Sequence, residues 1–290
     1  MSITAPETEF ADDTSKQSRF YQENGYAVVR GLFSPGEAAA LRDHYMTLRA
    51  RGIYPGDFAG VDLTSADPLK RFPRMIHMHR WDAISLRWAL DPRLDRYLTA
   101  LLGRSPSLGQ TMLYFKPAGG RGQALHQDNY YLKVAPSTCM AAWMALDRCD
   151  EANGCMQVIP GSHRWPVLCT KPADVTESFT DVTVPVPDGE TPVAVPMEIG
   201  DVLFFDGTLV HGSYPNTTTD RFRRSLIAHY VAGDAERASR FMNPLHRSDG
   251  TTFEIAENPG GGPCGIWVDT DGKPATKLVE PSTNPVEVTE

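Results

Sequence analysis

His126 and Asp128 stand two residues apart in the stretch Gly122-Gln123-Ala124-Leu125-His126-Gln127-Asp128-Asn129-Tyr130-Tyr131. On an extended chain such residues project from the same face, so the spacing predicts an imidazole beside a carboxylate, two teeth of a metal claw. A third donor of the right kind is His211, in Leu209-Val210-His211-Gly212-Ser213, which again follows an apolar run, Val202-Leu203-Phe204-Phe205. Two imidazoles and one carboxylate on one side of a metal, with the opposite positions open, form the ligand set of non-heme Fe(II) oxygenases. His-x-Asp alone is common by chance, and its plain alternative is a solvated pair on a strand. A third donor in a matching strand context favours the metal.

Elements able to position such a claw are visible on either side of it. From Gln110 onward the chain reads as short apolar runs broken by turn residues: Thr111–Phe115, Leu125–Val134, Cys139–Leu146, Cys155–Ile159, Val193–Met197, Val202–Phe205, Leu209–Ser213 and Ser225–Val231. Eight short strands with turns between them predict an all-β core of jelly-roll type, with a mouth that can hold a metal and a small ligand. Upstream, a short helix over Ser15–Asn24 ends at Gly25, and Tyr26–Val29 reads as a strand. Ser34-Pro35-Gly36-Glu37 is a capping-box helix start, with Leu41, Tyr45 and Leu48 on the inner face. A second helix runs over Pro92–Leu102, capped by Asp91 and stopped by Gly103. These helices would buttress the sheet.

At 290 residues the chain can bury one large core, and 41% hydrophobic with 22% charged residues describes a globular protein. The expected organisation is one domain: a helical buttress over about 15–105, a barrel over about 110–232 and a loosely structured tail over about 247–290. That tail holds eight acids against three bases, and a short strand is expected at Gly265–Val268. The first dozen residues are polar and expected to fray. A net charge of −8 excludes nucleic acid or an anionic membrane surface as main partner. No run of about 18 apolar residues occurs, and the expected location is cytoplasmic. Five cysteines without a Cys-x-x-Cys are expected to be reduced thiols, mostly buried. The Pro-, Asp- and Thr-rich insertion at 170–191 is either a lid over the mouth or an inert excursion.

Other residues carry chemistry in this pattern. In Arg221-Phe222-Arg223-Arg224-Ser225-Leu226-Ile227-Ala228-His229-Tyr230, strand alternation puts Arg223, Ser225, Ile227 and His229 on one face and Arg224, Leu226, Ala228 and Tyr230 on the other. A guanidinium inside a barrel is costly unless an anion meets it, and arginine is shaped to grip a carboxylate. The alternative is a polar strand start facing solvent. His229 reads as a core histidine, not a ligand. Arg74, His77 and Arg80, in Arg74-Met75-Ile76-His77-Met78-His79-Arg80-Trp81, are candidate substrate contacts, as is Tyr131; the plain reading of that segment is a solvated strand or loop. Pro160-Gly161-Ser162-His163 is a turn, not a nucleophile with its base.

These residues resemble the phytanoyl-CoA dioxygenase family of Fe(II)- and 2-oxoglutarate-dependent oxygenases. The likeness runs from Phe20-Tyr21-Gln22-Glu23-Asn24-Gly25-Tyr26 to Tyr230 and includes Lys116-Pro117, His126-Gln127-Asp128, Ala142-Trp143-Met144-Ala145-Leu146-Asp147, Asn153-Gly154-Cys155, Pro160-Gly161-Ser162-His163, His211-Gly212-Ser213 and the Arg223-Arg224 strand. The resemblance implies a double-stranded β-helix, with Fe(II), 2-oxoglutarate and O2 as cofactor and co-substrates. It assigns iron to His126, Asp128 and His211, and the distal carboxylate of 2-oxoglutarate to Arg223, with Arg224 in reserve, helped by Ser213. Trp143 and Met112 match positions lining the co-substrate pocket, Gln127 joins them from between the ligands, and His79 falls where some members have a lysine. The implied reaction is hydroxylation of an unactivated C–H of a small molecule with release of succinate and CO2. The same chemistry can serve desaturation, epoxidation or ring closure, and Asp128 in place of Gly or Ala speaks against halogenation. A non-catalytic jelly roll that binds a metal and ligand, and a Zn(II)- or Mn(II)-dependent isomerase or hydrolase, are the competing readings. Oligomeric state is not legible.

Overall fold

The strands of the barrel carry apolar side chains on both faces, because both faces are covered. The computed structural model describes residues 14–55, 60–136 and 138–280, so the expected fraying of the first dozen residues and the last ten of the tail lie outside it. The larger sheet is antiparallel in the order Tyr26–Val29, Val202–Asp206, Cys139–Ala145, Arg223–Ala232, Pro106–Lys116, Leu245–His246 and Thr252–Phe253, and Met75–Ile76 also pairs with Pro106–Lys116. Register sets Val28, Leu203, Trp143, Ile227 and Met112 in one row across it. That row packs toward the smaller sheet, meeting Met156, Val158 and Ala194. The adjacent row, Val202, Met144, Leu226 and Leu113, faces the other way and packs with Tyr45, Leu94, Tyr97 and Leu98 from the helices. The smaller sheet runs Gln123–His126, His211–Ser213, Met156–Val158, Val193–Val195, also antiparallel. Two sheets with flanking helices form the jelly roll expected from the strand count.

The helices begin and end where their caps place them. Helix Pro35–Ala50 has a capping box: Ser34 Oγ accepts from the Glu37 N–H at 3.3 Å and the Ser34 N–H donates to Glu37 Oε2 at 2.8 Å. Helix Pro92–Leu102 starts on the Asp91 carboxylate and stops at Gly103, whose φ of +70° a side chain would resist.

Three expectations are corrected. The run 125–134 is not one strand: Gln123–His126 ends at the first histidine and a helix, Asp128–Leu132, follows. The Asn129 side chain closes this turn on itself, accepting from the Val134 N–H and donating to its carbonyl, which competes with extension. The tail is more ordered than its composition implies, since Cys264–Thr270 pairs with Lys273–Val279 as a hairpin. Cys169 and Cys264 form a disulfide across a sequence separation of 95, so only Cys139, Cys149 and Cys155 are free, all buried. No local spacing could reveal a pair that distant.

Gly200 lies where the sheet edge meets the Pro35–Ala50 helix, at φ +91°, and an added Cβ would sit 2.0 Å from the Phe33 carbonyl oxygen. Gly200→Ala should therefore destabilise the fold by at least about 2 kcal/mol in chemical denaturation, combining a disfavoured backbone conformation with a backbone clash.

Candidate metal centre and its cavity

His126 closes the last strand of the smaller sheet before the turn, Asp128 opens the short helix after it, and His211 begins the neighbouring strand, directly paired with His126. All three are buried, and one donor atom from each lies within 4.8 Å of the others. Asp128 Oδ1 is 3.5 Å from His126 Nε2 and 3.6 Å from His211 Nε2. Donors each ~2.1 Å from one ion at right angles would be ~3 Å apart, so small movements close the set on a metal.

The tautomers follow from the backbone. His126 Nδ1 lies 2.9 Å from the Ala124 carbonyl and His211 Nδ1 2.9 Å from the Leu209 carbonyl. A carbonyl only accepts, so each Nδ1 carries the proton and each Nε2 turns a lone pair toward Asp128. Burial, then the neighbouring His126, pushes the His211 imidazole down to about 4, which keeps it neutral and able to ligate near pH 7. For Asp128, burial alone would raise the carboxyl pKa. His211, His229 and His126 outweigh it and hold the group well below the usual carboxylate range. The donor set therefore fits a divalent metal that takes nitrogen and oxygen ligands.

Beside these donors is a cavity of about 110 Å3, and Met112, Trp143, Ser213 and Arg223 line it with them. Arg223 is only 3% exposed, donates from Nε to the Gly154 carbonyl and from Nη1 to Ser225 Oγ, and has no carboxylate partner among the described residues. Arg224 points to the other face and is held by Asp147 at 2.7 Å. Strand alternation thus separates the two arginines that counting along the chain left ambiguous.

Four other candidates are not brought to this cavity. Gln127 is turned away: its amide donates to the Thr208 and Pro166 carbonyls, and its side-chain oxygen accepts from the Leu168 N–H. His79 packs on the helix side against Thr111, 3.0 Å from its hydroxyl, because Thr111 alternates with the cavity-facing Gln110 and Met112. His77 sits at φ +55° before a 3-10 turn and stacks near His79 and Phe241. Arg80 spends its guanidinium on the Phe241 and Asn243 carbonyls. Arg74 and Tyr131 do line the cavity.

Among the lining residues that went unread as such in the sequence, three stand out. His229 Nε2 donates to Asp128 Oδ2 at 3.0 Å, which leaves Oδ1 for the claw. Its place on the Arg223 face of the strand was the available signal. Gln110 and Tyr114 flank Met112 at strand spacing, a signal of the same kind. A larger cavity, about 710 Å3, adjoins the first and shares Arg74, Tyr114, Tyr131 and Arg223 with it. Phe72, Arg121 and Phe179 complete much of its wall. Phe179 belongs to the 170–191 insertion, which backbone bonds from the Gly122 N–H to the Glu177 carbonyl and from the Phe179 N–H to the Gly122 carbonyl pin against the barrel.

Comparison with known proteins bears on this geometry. The family model for phytanoyl-CoA dioxygenase (PhyH) matches residues 21–225. Peroxisomal phytanoyl-CoA dioxygenase of Rattus norvegicus is 29% identical over 259 residues, covering 83% of this chain and 75% of the rat protein. Among solved structures, the epimerase SnoN in complex with Fe3+, alpha ketoglutarate and nogalamycin RO superposes with a TM-score of 0.61 at 24% identity, over 77% of this chain and 85% of SnoN. EctD from S. alaskensis, solved with 2-oxoglutarate and 5-hydroxyectoine, gives 0.59 at 25% identity, over 79% of each chain.

His229→Phe keeps the ring volume but removes the donor that holds Asp128 Oδ2. It should weaken Fe(II) or Mn(II) binding by about 10- to 100-fold in anaerobic titration, while circular dichroism stays that of the parent.

Proposed function

The chain belongs to the phytanoyl-CoA dioxygenase family, and from that membership we propose that His126, Asp128 and His211 hold the ferrous ion and Arg223 the distal carboxylate of 2-oxoglutarate. The enzyme is an Fe(II)- and 2-oxoglutarate-dependent dioxygenase. The observation that carries the assignment of residues is a buried, carboxylate-free guanidinium sharing one small cavity with the three clustered donors.

Bound iron, with 2-oxoglutarate and O2, supplies an oxidant able to break an unactivated C–H bond, with succinate and CO2 as co-products. The protein's part is orientation and shielding. The Ala124 and Leu209 carbonyls hold both imidazoles with Nε2 unprotonated, that of His126 accepting from the Gln123 amide at 3.1 Å, and His229 holds the carboxylate so that Oδ1 faces them. Trp143, with Arg223 5.6 Å from its ring centroid, and Met112 would form apolar walls for the co-substrate. Ser213, which lines the same cavity as Arg223, would add a hydroxyl to the hold on the co-substrate.

The substrate we infer enters through the larger cavity and is a small molecule with an apolar or aromatic body and one anionic group. Phe72, Tyr114, Tyr131 and Phe179 supply the apolar walls. Arg74, beside the Tyr114 hydroxyl and without a carboxylate partner among the described residues, supplies the cation. Of the other cations near the mouth, Lys70 and Arg121 also line the larger cavity, but three are already engaged. Arg121 pairs with Asp67 at 2.8 Å, Arg80 caps carbonyls, and the Lys133 ammonium reaches the Pro259 carbonyl at 2.5 Å. That distribution favours a compact monoanion over a coenzyme A thioester.

Aerobic incubation with Fe(II), ascorbate, 2-oxoglutarate and a panel of small carboxylates should release succinate, and Asp128→Ala should abolish it. Arg223→Met should raise the KM for 2-oxoglutarate about 10- to 100-fold, the worth of about 1.5–3 kcal/mol of charge-assisted hydrogen bonding, whereas Arg224→Met should leave it unchanged. Arg74→Gln should raise the KM of the active carboxylate at least tenfold and leave that of 2-oxoglutarate alone. No 2-oxoglutarate binding by the metal-loaded parent would contradict the assignment.

A further inference from the structure

The Arg223 guanidinium has an unexpected neighbour. In the register of the two central strands Arg223 stands directly opposite Lys116, a cross-strand placement in which like charges repel. Both are buried, Lys116 at 2% exposure and Arg223 at 3%, and both line the larger cavity. Neither has a carboxylate partner among the described residues. Burial and then the neighbouring Arg223 push the Lys116 pKa well below the usual lysine range, so full charge on both groups needs an anion in the cavity beside them.

The surroundings are built to keep the lysine there. Its ammonium donates to Ser213 Oγ at 2.8 Å and to the Tyr214 carbonyl. Gly154, at φ +90°, leaves room for its stem, since an added Cβ would lie 2.6 Å from Lys116 Cδ. The same glycine's carbonyl accepts from Arg223 Nε. With an anion in the cavity holding Lys116 protonated, the ammonium can only donate, so the Ser213 oxygen is the acceptor in that bond and its own O–H is released to point elsewhere. Ser213 lines the small cavity, where the hydroxyl proton can meet an anion held by Arg223.

We propose that Lys116 is the second cation of the co-substrate site: it orients Ser213 as a donor and, with Arg223, makes the pocket selective for a 2-oxo acid with a distal carboxylate. The proposal rests on the reading that 2-oxoglutarate reaches Arg223. It assigns Lys116 a positioning role, acting through Ser213 and through its charge. Its consequence is selectivity between 2-oxoglutarate and 2-oxopentanoate, which has the same carbon chain without the second carboxylate.

The test is calorimetric titration of the full-length, Mn(II)-loaded protein with each acid under anaerobic conditions. Lys116→Met, which keeps the apolar stem, should lose tenfold or more in affinity for 2-oxoglutarate and little for 2-oxopentanoate. Ser213→Ala should lose much of the same discrimination, and adding it to Lys116→Met should cost little more. A lysine with a purely structural role would lower Tm and weaken both acids alike; that result, or unchanged selectivity, would overturn the proposal. If Lys116→Met does not fold, Ser213→Ala carries the test, and retention of parental selectivity overturns it. Failure of the parent to prefer 2-oxoglutarate, or indifference of that preference to Arg223→Met, would instead remove the functional reading beneath it.

Discussion

Charge buried inside an apolar barrel has to be answered, and the arrangement of this protein follows from how each charge is met. Asp128 sits ionised in the interior with His229 donating to it from the cavity face of the larger sheet, and with His126 and His211 beside it on the strand before it and the neighbouring strand. Arg223 is met by a carbonyl, a hydroxyl and the Trp143 ring, which engage two of its five N–H donors and bring it no opposite charge. The carboxylate is thus answered from within the chain, while the guanidinium awaits an anion from outside. In the proposed assignment 2-oxoglutarate would bring the anion that Arg223 lacks, and iron would draw the three clustered donors together.

The two-faced packing of the larger sheet makes this geometry dependable. One row of side chains locks the sheet onto the helices and the next forms the cavity floor, so Met112, Trp143 and Ile227 cannot shift without disturbing Leu113, Met144 and Leu226 behind them. The turn between His126 and Asp128 is fixed from the other side. Gln127 fastens it to the Thr208 carbonyl and to the 166–168 segment, and that segment in turn pairs with the tail hairpin at Gly265 and through Cys169–Cys264. A residue between two candidate ligands is employed in holding the backbone that carries them.

Much of this was legible in the residues, for physical reasons that also mark where legibility ends. Strands and capped helices were readable because their signals are local: alternation, Ser34 with Glu37, Asp91 with Gly103. The three candidate ligands were readable because few residue types suit the metal. Arg223 and Arg224 could not be ordered by counting across a loop, yet opposite faces of one strand settle where each side chain points. His229 was placed on the cavity face and still read as core, since nothing local reveals a carboxylate 101 positions away in sequence. Gln127 was grouped with the site by its place between the ligands, His79 by the resemblance, and His77 and Arg80 by their cationic segment; tertiary hydrogen bonds took Gln127, His79 and Arg80 elsewhere, and ring packing took His77. The disulfide and the tail hairpin are long-range pairings that composition hides.

The most direct test is a crystal structure of the protein soaked anaerobically with Fe(II) and 2-oxoglutarate. The account predicts one metal ion held by His126 Nε2, His211 Nε2 and an Asp128 oxygen, with the distal carboxylate of the co-substrate against Arg223 and the Ser213 hydroxyl. Metal bound away from these three side chains, or a co-substrate carboxylate seated on Arg74 with Arg223 left bare, would contradict it.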